Sequence, residues 1–162
     1  MKATDIKADD INTWAKEIIG KKRLPAPAKP KGKDPEYTFP DDPSTLSPTG
    51  LGQQMMKFAS YFGYTQWLLG LADSEFALVD SEYKVNMNVA GIKIREDLGR
   101  VAADVVEAAV LHEDESLTPL YERRQKLLVI KIQLESRLKI YEKMYNALSR
   151  ELARREMETR IQ

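Results

Sequence analysis

The stretch LYERRQKLLVIKIQLESRLKIYEKMYNALSREL, residues 120–152, decides the fold. Together with Leu117, the residues Leu120, Arg124, Leu127, Lys131, Leu134, Leu138, Tyr141, Tyr145, Leu148 and Leu152 step by three and four without a break. That spacing keeps side chains on one stripe of an α-helix. Ser116 or Thr118 supplies a cap, and Pro119 falls in the first turn, where a missing N–H costs nothing. Residues 117–158 as one helix would span roughly 60 Å at about 1.5 Å per residue. A helix that long needs a partner of comparable length to cover its stripe.

The partner lies upstream. Ser47-Pro48 is a second helix start, a hydroxyl cap followed by proline. From there Leu51, Met55, Phe58, Phe62, Thr65, Leu69, Ala72, Phe76, Val79 and Tyr83 alternate steps of four and three. A second seam runs beside the first through Tyr61, Tyr64, Leu68, Leu71, Leu78, Val85 and Val89. A helix with two apolar seams is covered on two sides. Gly63, Gly70, Ser74, Ala77 and Ser81 add a small-residue stripe where another backbone could approach. Gly91 is the expected end of this helix. A shorter one follows over about residues 94–111, and the run HEDES, residues 112–116, breaks the pattern. The fold class is therefore all-α: a long antiparallel helical hairpin with a shorter linking helix. Arg124 and Lys131 occupy seam positions, where charges fix register or oligomer state.

Two further segments precede the hairpin. Residues 1–20 hold a short amphipathic helix, capped by Asp10, with Ile11, Trp14, Ala15 and Ile18 on one face and Gly20 at its end. It is too short to stand alone and must dock. Residues 21–48 carry seven of the eight prolines, a density that excludes helix and sheet interiors. KKRLPAPAKPKGK reads as an extended linker, with Tyr37 and Phe39 available to pin its second half to the body. The domain division is then 1–20, 21–48 and a helical oligomerisation domain over 49–162.

Composition narrows the function. The chain has 162 residues, 43% apolar, enough for one core. Cys is absent and His112 is the only histidine, which excludes disulfides, thiol catalysis and cysteine- or multi-histidine-bound metals. No Gly-rich phosphate loop or nucleophile elbow occurs. No apolar run is long enough to span a bilayer, and MKATDIKADDI has no apolar signal core. The expectation is a soluble intracellular protein, not an enzyme, with no cofactor and no metal.

The 25 basic and 25 acidic residues cancel overall but not locally. Residues 20–33 carry a net charge of +6 without an acid, residues 34–116 are acidic, and the final helix is basic. The linker lysines read equally as a phosphate-binding arm or as a solvated spacer. The aromatic group Phe58, Tyr61, Phe62, Tyr64 and Trp67 could stack bases, but its helical spacing favours core. His112 beside Glu113, Asp114 and Glu115 suggests a metal or base, but reads better as a solvated helix junction. Lys93 and Arg95, after the expected stop at Gly91, could contact a nucleic-acid backbone. Spacing alone favours an exposed helix start balanced by Glu96 and Asp97.

The order of segments carries a resemblance. YTQWL (64–68) is followed by IKIRED (92–97), then by VLHEDESL (110–117) opening the final helix. This resembles the UvsY-type recombination mediators of T-even and related phages, which have Y-x-x-W-L, L-K-x-R-x-D and V-L-x-x-D-x-x-L segments in that order. Tyr64, Trp67 and Leu68 match the first; Lys93, Arg95 and Asp97 the second, with Ile92 for Leu; Val110, Leu111, Asp114 and Leu117 the third. The likeness covers roughly residues 61–155, and the arm and first helix have no counterpart in it. It implies a non-enzymatic factor in the cytoplasm of an infected bacterium. Such a factor is a homo-oligomer that binds single-stranded DNA, helps displace the single-strand-binding protein and helps load the recombinase. It implies Lys93 and Arg95 as DNA-backbone contacts, with Lys84 and Arg100 completing the candidate set. It implies an oligomer interface on the final helix: Leu127, Leu134, Leu138, Tyr141, Tyr145, Leu148 and Leu152. The alternatives are a phage structural or assembly protein, or a protein-binding adaptor, each built as a helical homo-oligomer.

Overall fold

The structure is a computed structural model, and it describes residues 13, 14, 16, 17, 20, 28–33 and 35–161. Among them there are helices and turns but no strand, as the spacing requires. Three α-helices dominate: α1, Pro48–Leu98; α2, Ala103–Glu113; and α3, Thr118–Ile161. Single 3-10 turns form at Pro35–Thr38, Pro43–Thr45 and Glu115–Leu117. Of the expected first helix, Thr13, Trp14, Lys16, Glu17 and Gly20 are helical. Its Asp10, Ile11, Ala15 and Ile18 lie outside the described residues, as do Lys21, Lys22 and Arg23 of the arm.

The hairpin is antiparallel, and the chain divides into two compact units: Met1–Trp14 with Leu71–Lys131, and Ala15–Gly70 with Ile132–Gln162. In the second unit Phe58 packs edge-on against Phe39 (5.8 Å between ring centres) and at a tilt against Tyr141 (6.4 Å). Tyr61 adds a ring 5.8 Å from Tyr141, and Leu51 and Leu148 close the cluster with no exposure at all. Phe39 thus pins the arm as expected; the Tyr37 side chain lies outside the described set. Farther along, the Arg155 guanidinium donates to the carbonyls of Leu46 (2.7 Å), Pro43 (3.2 Å) and Ser44 (2.8 Å). Tyr61 donates its hydroxyl to the carbonyls of Gly32 (3.1 Å) and Lys33 (3.2 Å).

In the first unit the seam cations find partners inside the chain. Arg124 bonds Asp80 at 2.6 Å and lies over the rings of Tyr83 and Phe76; Lys131 bonds Asp73 at 2.9 Å and covers Phe76 at 4.4 Å. As the α1 number rises from 73 to 80, the α3 partner falls from 131 to 124, so these pairs fix the register of the hairpin. Glu75 is buried on α1 and accepts from Trp14 Nε1 (2.7 Å) and from Arg123. Tyr83 donates to Glu107 at 2.5 Å. Burial, first, and that carboxylate hold its phenol well above the ordinary tyrosine range. A second core cluster, Ile94, Val106, Val110 and Leu117, joins α2 to the end of α1.

One boundary departs from expectation. Gly91 does not end α1, which continues two turns to Leu98. A Cβ at Gly91 would stand 3.1 Å from Val106 Cγ1, so this buried glycine serves the close approach of α2. The stop is Gly99, whose φ of +73° and N–H bond to the Arg95 carbonyl (3.0 Å) make a left-handed cap. The linking helix is correspondingly later than expected, starting at Ala103. The start at Ser47-Pro48 holds, with Gly50 N–H donating to Ser47 Oγ at 3.1 Å. Gly63 in the small-residue stripe is exposed, with no backbone approaching where its Cβ would stand.

Candidate nucleic-acid interface

Tyr61 is the residue from which the site is built. Its ring is held in the core, so its hydroxyl has a fixed position, and the two carbonyls it binds lay the arm along α1. Gly32, at φ +104°, turns the arm there in a conformation that suits glycine. An open groove of about 570 Å³ results, lined on the arm side by residues 28–31 and on the α1 side by Lys57, Ser60, Tyr61 and Tyr64 among others. Lys29 and Lys31 are exposed on one wall and Lys57 stands on the other. Among the described residues that line it there is no carboxylate. Lys57 Nζ donates to Thr38 Oγ1 at 3.0 Å, which positions the ammonium and leaves it two further protons. Tyr64 is half-buried, and its ring centre lies 6.0 Å from that of Trp67, one turn on. Burial raises the Tyr64 phenol above its usual range, so it stays neutral.

Three ammonium groups around a trough with an aromatic wall match the needs of a flexible polyanion with stackable faces. A folded duplex offers no such faces to a shallow groove.

The arm lysines and the aromatic cluster appear in the sequence as separate features; the fold puts them together. Lys57 is the member that the sequence reading passes over. Its signal is present: 57, 61, 64 and 68 step by four, three and four, so the second apolar seam of α1 extends upstream onto a lysine.

The four predicted DNA contacts stand elsewhere. Lys93, Arg95, Lys84 and Arg100 are all exposed. Because α1 continues past Gly91, Lys93 and Arg95 follow no helix end; they lie two residues apart within the helix and point to different sides. Arg95 folds back toward Gly91, with one guanidinium nitrogen 3.8 Å from where a Cβ would be. Lys84 is paired with Asp80 at 2.6 Å, and Arg100 follows the Gly99 cap.

Five of the seven predicted interface residues are core within one chain. Leu127, Leu134, Leu138, Tyr141 and Leu148 are buried, because the α1 seam already covers the α3 seam. Leu152 is half-buried and Tyr145 is 37% exposed. The His112 run is a junction: the Asp114 carboxylate accepts from Ser116 N–H (3.0 Å) and Ser116 Oγ (2.5 Å), capping the turn into α3. Among the described residues no three acidic, His or Cys side chains are grouped to hold a metal ion. No helix among them is long and apolar enough to cross a membrane.

Comparison with protein-family models, curated proteins and solved structures finds no match for this chain.

Proposed function

We propose that this protein is a non-enzymatic, single-stranded-DNA-binding accessory factor that acts as a homo-oligomer, in the manner of a UvsY-type recombination mediator. The observation that carries the proposal is the groove between the arm and α1, with Lys29, Lys31 and Lys57 around Tyr64. The resemblance supports it from a second direction, since Tyr64 and Trp67 belong to the Y-x-x-W-L segment. On this reading the lysines hold backbone phosphates and Tyr64 stacks a base. Lys93, Arg95, Lys84 and Arg100 are secondary, outlying contacts. Recombinase and single-strand-binding protein enter as partners by resemblance, in the bacterial cytoplasm.

The test is a fluorescence titration with labelled single-stranded and duplex DNA at several salt concentrations. The parent binds the single strand better, with little sequence preference. Each phosphate contact on a single strand contributes about 0.7 to the slope of log affinity against log salt. The triple change Lys29→Ala, Lys31→Ala, Lys57→Gln therefore flattens that slope by about 2. Tyr64→Ala weakens binding by about 1–3 kcal/mol, the usual worth of one stacked base. Lys93→Ala with Arg95→Ala has the smaller effect. A parent that binds no single strand at low salt overturns the proposal. The adaptor or assembly reading then takes its place, favoured by the uncovered apolar face of α1 described next.

A further inference from the structure

The second seam of α1 is covered only in part. Within the first unit it runs Leu71, Glu75, Leu78, Glu82, Val85, Val89, Ile92, Glu96, alternating steps of four and three. Leu71 and Glu75 are buried, and Trp14 bonds Glu75. From there on the stripe is open: Leu78 is 69% exposed, Val85 59%, Val89 68% and Ile92 57%. The opposite side of the same segment, Val79, Tyr83 and Ile94, is buried against the chain's own helices. Four large apolar side chains on one helical stripe, about 21 Å from first to last, are more than scattered surface hydrophobes.

We infer that this face of α1, Leu78 to Glu96, pairs with the same face of a second copy, antiparallel and about a two-fold axis. Charge selects the orientation. Glu82 and Glu96 sit in the seam itself, and Lys93 flanks it beside Ile92. In a parallel pairing Glu82 meets Glu82 and Glu96 meets Glu96, both unfavourable. In the antiparallel pairing that opposes Val85 to Val89, Glu82 meets Ile92 of the other copy and the Lys93 next to it. The two-fold repeats that pair on the other side, as an isologous interface requires. Lys93, an outlier as a DNA contact, has a role here. The partner is this chain because one segment supplies both halves of the match, the apolar knobs and the opposite charges.

The inference deepens the oligomeric part of the proposed function and is independent of the groove. A chain that dimerises through α1 without binding single-stranded DNA fails the one and keeps the other.

The experiment is mass in solution by light scattering and sedimentation over a concentration series, with helicity checked by circular dichroism. The parent gives a species of twice the 18.5 kDa chain mass. Val85→Glu with Val89→Glu gives a monomer of unchanged helicity. Lys93→Glu weakens the dimer tenfold or more, and adding Glu82→Lys to it restores association. Orientation is read by disulfide trapping, since the chain has no cysteine of its own. Leu78→Cys chains mixed with Glu96→Cys chains cross-link to each other, and neither cross-links to itself. A parent that stays monomeric throughout overturns the inference and leaves the stripe to another occupant. A parent whose mass ignores Val85→Glu and Val89→Glu oligomerises through a different face, which overturns it too. Self-linking of Leu78→Cys alone overturns the antiparallel arrangement.

Discussion

Gly91 and Gly99 stand eight residues apart near the end of α1 and do opposite things. Gly99 adopts a positive φ, so a Cβ there is strained even though nothing crowds it. Gly99→Ala is expected to destabilise the fold by about 1–2 kcal/mol, the cost of a left-handed alanine. Gly91 has ordinary helical geometry but no room. Gly91→Val drives a branched side chain into Val106 and costs about 1–3 kcal/mol by overpacking, despite the better helix propensity of valine. Thermal melts of the two variants check both values. The difference between these glycines is not legible locally. Either one punctuates a helix in the sequence; only Val106, a turn into the next helix, tells them apart. The same holds for Lys93 and Arg95, whose expected position past a helix end depended on the wrong glycine.

At the scale of elements, the long helices were legible throughout, because a period of three and four sustained over several heptads needs no tertiary information. Their starts were legible for the same reason: Ser47-Pro48 is a local signal. What the arm does was not, since its anchors come from distant elements. Arg155 on α3 holds the carbonyls of residues 43–46, more than a hundred residues away in sequence. Arg155→Ala removes three charge-assisted bonds, each worth roughly 1.5–3 kcal/mol at most and less where water replaces it. It should open the arm at residues 40–46 to protease while leaving the helical signal intact. Glu151 orients this arginine. Its bonds to Arg154 and Arg155 lower its carboxyl to about 2. A carboxyl depressed in the folded state adds stability that is fully present above the unfolded value, about 4.3, and lost as pH falls through the folded one. The melting temperature should therefore decline between pH 4 and 2 by an acid-labile increment that Glu151→Gln abolishes.

For the molecule as a whole, a formal charge of zero means that affinity for a polyanion cannot come from the overall field. Under the proposed function it would have to come from a place where the fold collects one sign, and Lys29, Lys31 and Lys57 meet at the groove beside Tyr64. This is why the fold was open to reading and the site was not. Hairpin architecture follows from patterns within single segments: the first α1 seam and the α3 seam pack where the spacing puts them, whereas the second α1 seam, expected to be covered, is exposed at Leu78, Val85 and Val89. The groove unites residues about 30 positions apart through the Tyr61 hydroxyl. The seam of α3, expected to face other copies, is consumed by α1, and the stripe left over belongs to α1 instead.

The Tyr61 hydroxyl has one further consequence. An arm rich in proline and lysine, left loose, would have to surrender its conformational freedom each time a strand entered, and that entropy would be subtracted from affinity. Here part of the ordering is done at folding, by a phenol whose ring already belongs to the core. Tyr61→Phe keeps the ring and drops the tether. Its melting temperature should stay near that of the parent, while single-strand affinity falls several-fold with a more unfavourable binding entropy by calorimetry. Under the proposed function the hydroxyl would act as a preorganising device, since folding already sets the shape of the trough.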